Sequence, residues 1–106
     1  MKKHLGAVKV CGLDFQVYEA DAAGHPNLNA NHGVCYPTQR EIYLDHGMGK
    51  DFFEHILLHE VIHGIWSHSG LETLDRSSDD YEEQFIKVIV PHLLAAQKSM
   101  KGLKRA

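Results

Sequence analysis

Two imidazoles and a carboxylate stand inside the most apolar stretch of this chain. Ile56, Leu57, Leu58, Val61, Ile62, Ile65 and Trp66 surround and interleave the run His59-Glu60-Val61-Ile62-His63. A helix with apolar side chains on nearly every side is a buried helix. Hiding two histidines and a glutamate in it costs on the order of several kcal/mol unless they are paired or bound to a metal. Residues four apart on a helix share one side, one turn apart, so both rings can grip a single ion. Glu60 lies on the adjoining face, close enough to reach a water beside that ion. The pattern asks for a long buried helix and for a third ligand from elsewhere, because catalytic zinc takes three protein ligands and a water.

The remainder of the chain limits where that ligand can come from. With 106 residues it is expected to form one domain around one core. A net charge of −3 and the lack of a basic stripe argue against nucleic acid as partner. No apolar run approaches the ~18 residues that span a bilayer, and Lys9 and Asp14 interrupt any signal-like core near the start. The expectation is a cytoplasmic protein with no membrane partner. Cys11 and Cys35 match neither a zinc-knuckle nor a redox spacing, and both are read as small buried residues on strands.

The first half reads as β and the second as α, an α+β domain over residues 1–106 with strands within about 7–45. Residues 7–11 and 15–19 alternate like two strands joined through Gly12-Leu13-Asp14. Residues 21–32, rich in Gly, Pro and Asn, read as a loop. A second hairpin follows, residues 34–36 and 41–44, turning at Pro37-Thr38-Gln39-Arg40. The metal-site helix is predicted over 51–68, with Asp51 and Glu54 as a capping box and Gly70 as its stop. Gly64 inside it costs about 1 kcal/mol relative to alanine, a sign that another group passes close beside His63. A second helix is predicted over 79–100, carrying Phe85, Ile86, Ile89, Leu93 and Leu94 inward, with Pro91 bending it.

Glu82 and Glu83, at the start of that second helix, are the foremost candidates for the third ligand. Both stand on stripes that continue into apolar residues, so periodicity leaves the choice between them open. Glu72 and Asp75 read as exposed loop, and His68 as a helix C-terminal residue. His55, one turn before His59, is a candidate to line the cleft. His4, His25, His32, His46 and His92 have no partner at ligand spacing.

These residues resemble the zincin metallopeptidases, in particular the small gluzincin-like proteins common in phage and prophage genomes. The resemblance rests on Ile42-Tyr43-Leu44, on the stretch from Leu57 through His59-Glu60-Val61-Ile62-His63 to Trp66, and on Glu82-Glu83-Gln84-Phe85-Ile86. It spans about residues 8–94. It implies a minimal zincin-like domain in which small β-hairpins precede the motif helix and a second helix brings the last ligand. Carried over, the zinc ligands are His59, His63 and Glu83 (alternatively Glu82), and Glu60 is the catalytic base. The metzincin pattern fails, since Trp66 and Ser69 stand where it wants a glycine and a histidine. A zinc endoribonuclease pattern fails as well, lacking its third histidine. The chain is shorter than ordinary gluzincins and carries no evident substrate-binding subdomain.

The expected activity is zinc-dependent hydrolysis of a peptide or protein substrate. Zinc would acidify its water and polarise the scissile carbonyl, with Glu60 moving the proton. Substrate would lie along 41–44 as an edge strand, with Tyr43 in contact. Tyr36, Tyr43 and Tyr81 are candidates to steady the oxyanion, and Asp45 or Asp80 to orient a histidine. The rival expectations are a non-catalytic zinc-binding module that docks on a host or phage protein, and a helical protein without metal.

Overall fold

A computed structural model describes residues 1–29, 31–69 and 79–103. The chain is a small α+β structure, a four-stranded mixed sheet with two helices. The strands are β1 (Lys2–Val10), β2 (Leu13–Ala20), β3 (Gly33–Tyr36) and β4 (Glu41–Asp45). The helices are α1 (Lys50–His68) and α2 (Asp79–Lys101). No helix among the described residues is long and apolar enough to cross a membrane.

Both expected hairpins form. β1 pairs antiparallel with β2 and β3 antiparallel with β4, while β2 and β4 join the hairpins as a parallel central pair, giving the order β1-β2-β4-β3. This overturns the expectation that 41–44 is an edge. β4 has a partner on each side, and β3 is the edge. The alternation along 41–44 is the same for an edge or an interior strand, and only the β2 pairing distinguishes them.

The first turn is tighter than expected. Val10 faces Leu13 across it, so Cys11 and Gly12 alone make the turn, with φ of 52° and 79°. Two left-handed residues are the signature of the primed hairpin turns, whose twist matches that of the strands. Cys11 is therefore exposed at a turn and not on a strand. β1 also begins earlier than residue 7, continuing past a register shift between His4 and Gly6 that bends the edge strand.

Helix α1 fills the space between the sheet and α2, which explains why it is apolar on more than one side. Phe53, Ile56, Leu57, Val61 and Ile65 pack on the buried sheet residues Val10, Phe15, Val17, Ile42 and Leu44. Ile62 and Leu58 face α2, where Ile86 and Val90 are the buried pair, flanked by Ile89 and Leu94. Val90 replaces Phe85 and Leu93 at the centre of that face. Phe85 is 42% exposed and leans on Trp66 with ring centroids 5.4 Å apart, and Leu93 is 37% exposed. Pro91 lies inside α2 without ending it.

Gly64 is a point of close approach between α1 and the first hairpin. A Cβ there would stand 3.1 Å from Val10 Cγ1 and 3.2 Å from Phe15 Cε2, so the glycine lets the helix settle onto the first hairpin. The expected capping box does not form. Gly49 is the N-cap without a side-chain bond, and Asp51 sits in the first turn, where its charge still suits the helix dipole. Gly70, Glu72 and Asp75 lie outside the described residues.

Candidate metal centre

The second half of α1 projects the three candidate side chains His59, Glu60 and His63 into one cleft. Its volume is 440 Å³, and its walls include His59, Glu60, His63 and Ser67 from α1, Glu82 and Glu83 from α2, and Gly33 to Cys35 from the edge strand. His55, a candidate for this wall, is not among the lining residues.

His59 and His63 stand one turn apart with ring centroids 5.0 Å apart. The Glu83 carboxylate lies between them, Oε1 at 2.8 Å from His59 Nε2 and Oε2 at 3.0 Å from His63 Nε2. One ligand atom from each of the three residues falls within 4.8 Å of the others. A tetrahedral zinc with bonds of ~2.0–2.1 Å separates its ligands by ~3.4 Å. The two nitrogen–oxygen contacts are a few tenths of an ångström shorter than that separation, and the whole group lies within 4.8 Å. Two imidazoles and a carboxylate are a donor set suited to zinc. Burial holds the His59 ring below the usual histidine range, against the opposing pull of Glu83, and so favours the neutral form that ligates.

Glu82 goes elsewhere. Its Oε1 is 2.9 Å from His63 Nδ1, the ring nitrogen turned away from Glu83. Glu82 and Glu83 precede the buried Ile86 by four and three residues, so they straddle one apolar stripe and both reach α1. That symmetry is why helical periodicity could not separate them; both carboxylates reach His63, and Glu83 also reaches His59.

Glu60 is the buried charged residue among the described residues, 7% exposed. Its side chain packs beneath the edge strand, where a Cβ on Gly33 would come within 3.1 Å of Glu60 Cγ and 2.7 Å of Ile56 Cγ2. Burial pushes the Glu60 carboxyl up to about 7, with the His63 ring drawing it down and Glu83 adding to the rise. A carboxyl held near neutrality can take or give a proton at little cost. Cys35 borders the same cleft, and burial with the nearby Glu60 and Glu82 pushes its thiol up to about 12. Sequence reading missed Gly33. The signal was a glycine at the start of a short strand, where a backbone approaches closely.

The remaining candidates stand apart from the cleft. Tyr43 is 4% exposed and lies on the opposite sheet face, stacked between Tyr18 and His25 at centroid distances of 4.9 and 4.0 Å. Tyr36 shares that cluster, its hydroxyl 2.6 Å from His25 Nε2. Alternation along a strand puts Tyr43 opposite to its neighbours Ile42 and Leu44, which face α1. Neither hydroxyl is therefore available to a substrate at His59 and His63. Asp45 approaches His32 at 3.5 Å instead of a cleft histidine. The side chains of Asp80 and Tyr81 lie outside the described residues. His68 Nε2 bonds the Pro37 carbonyl oxygen at 2.9 Å and ties the end of α1 to the second hairpin turn. No family model, curated protein or solved structure significantly matches this chain.

Proposed function

We propose that the chain is a minimal zincin-like peptide hydrolase that holds zinc through His59, His63 and Glu83. The observation that carries this reading is the meeting of the three side chains beside the buried Glu60, in a cleft open to solvent. Bound there, zinc supplies a water of lowered pKa and polarises a carbonyl oxygen.

The protein's own part is to move the proton and to seat the peptide. Glu60 accepts the proton of the attacking water at its carboxylate and delivers it to the departing amine. Its burial removes competing solvent and keeps its affinity for the proton close to what neutral pH demands. The substrate lies extended along β3, whose inner side pairs with β4 and whose residues Gly33 to Cys35 line the cleft. Main-chain hydrogen bonds to that edge hold a peptide largely independent of its sequence.

Substituting Glu60→Gln tests this reading. Zinc content of the purified protein stays at the parent's level, and cleavage of a fluorogenic peptide mixture falls roughly 10²–10⁴-fold. Full cleavage by the variant would remove Glu60 from the mechanism. A parent that binds zinc tightly and cleaves nothing in the mixture would favour the non-catalytic zinc-binding module.

A further inference from the structure

We propose that Glu82 is a positioning residue for the centre, holding the Nδ1 hydrogen of His63 so that Nε2 faces the ion as a bare lone pair. The inference rests on the metal reading above. Its observation is separate: consecutive residues of α2 engage opposite nitrogens of one ring, Glu82 at 2.9 Å from Nδ1 and Glu83 at 3.0 Å from Nε2.

The geometry follows from the helix. Neighbouring residues on α2 diverge by about 100°, so their carboxylates reach the imidazole from two sides. A neutral imidazole has one donor nitrogen and one acceptor, and an ionised carboxylate only accepts. The Glu82 contact calls for the hydrogen on Nδ1, and with an ion standing between Nε2 and Glu83 that tautomer leaves Nε2 as the ligating lone pair. Glu82 and His63 are both shielded, with side chains 22% and 23% exposed, so water competes poorly for either partner. A carboxylate behind a ligating histidine fixes the ring and raises its basicity, and its loss typically weakens metal binding by about 10–100-fold.

Zinc titration against a chromophoric chelator, with long-range nitrogen–proton NMR of the histidine rings, tests the assignment. In the zinc-loaded parent, His63 is expected to show a protonated Nδ1 and an unprotonated, metal-shifted Nε2. Glu82→Leu weakens zinc binding about 10–100-fold and alters the His63 pattern while leaving that of His59 in place. Glu82→Gln, whose amide oxygen still accepts the hydrogen bond, keeps the His63 pattern and loses less affinity, which also covers a Leu variant that fails to fold. Glu83→Gln should lose far more, through removal of a ligand. Parent-like affinity and an unchanged ring pattern in both Glu82 variants would overturn the role and leave the centre standing. A loss in Glu82→Gln equal to that in Glu83→Gln would overturn it too, by making Glu82 a ligand. A parent that binds no zinc would sink the metal reading itself.

Discussion

Among the described residues away from the cleft, histidines meet their polar partners one at a time. His46 approaches Glu19 at 3.3 Å and His32 approaches Asp45 at 3.5 Å, with 57% and 61% of the two histidine side chains exposed. His4 bonds Gln16, and His25 bonds Tyr36. In the cleft the same residue types converge: His59 and His63 are only 15% and 23% exposed, and one carboxylate touches both. Exposed pairs of the first kind contribute about 0–1 kcal/mol and are weakened further by salt. What sets the cleft apart is not its number of histidines, since the chain has nine. Two rings at helical spacing meet acids carried by a second helix, and the apolar packing of both helices shields the rings more than their exposed counterparts.

The largest test of that contrast is metal affinity. His63→Ala is expected to lower zinc affinity on the order of a thousandfold, through loss of one of three ligands, while His46→Ala and His32→Ala change it less than about twofold. Isothermal titration across the three variants measures it, and comparable losses at His46 would erase the distinction between the two regions.

A smaller effect probes how closely the edge strand presses on α1. Gly33→Ala places a methyl group 2.7 Å from Ile56 Cγ2 and 3.2 Å from Glu60 Oε2. Overpacking of this kind costs about 1–3 kcal/mol. Denaturant unfolding of the metal-free protein reads it, and an unchanged midpoint would mean that the strand yields freely.

The smallest effect separates the two thiols. Cys11 is exposed at the first turn, whereas the Cys35 thiol beside the cleft is pushed up from 9.0 to about 12. Iodoacetamide at pH 8 should modify Cys11 and spare Cys35 until the protein unfolds. The folded chain keeps the Cys35 proton after the unfolded chain has lost it. Stability from this group is therefore complete below pH 9 and declines as pH rises toward 12. Cys35→Ala should flatten that decline in thermal melts, and an unaltered slope would contradict the burial of the thiol.

Much of the site is legible in the amino-acid order alone. His59, Glu60 and His63 follow from i, i+4 geometry inside an apolar run, because local helical spacing places them on neighbouring faces without reference to the rest of the chain. Both hairpins are legible for the same reason, since alternation and turn residues act over a few positions. Tyr43 is not, because period-two alternation says that two faces differ but not which one the helices will cover. Hydrophobicity alone points Phe85 and Leu93 inward, yet the line of contact with α1 runs through Ile86 and Val90.

By itself, then, the sequence determined the elements, the α+β division and the pair of histidines with their glutamate, all consequences of interactions within about one turn or one hairpin. Only the tertiary structure decided that β2 and β4 pair in parallel, which makes β3 the edge beside Glu60. It alone assigned Glu83 to the Nε2 atoms and Glu82 to Nδ1. Those outcomes depend on how a sheet and two helices share one core. Such packing is long-range and is set by the fit of whole surfaces, which no local periodicity encodes.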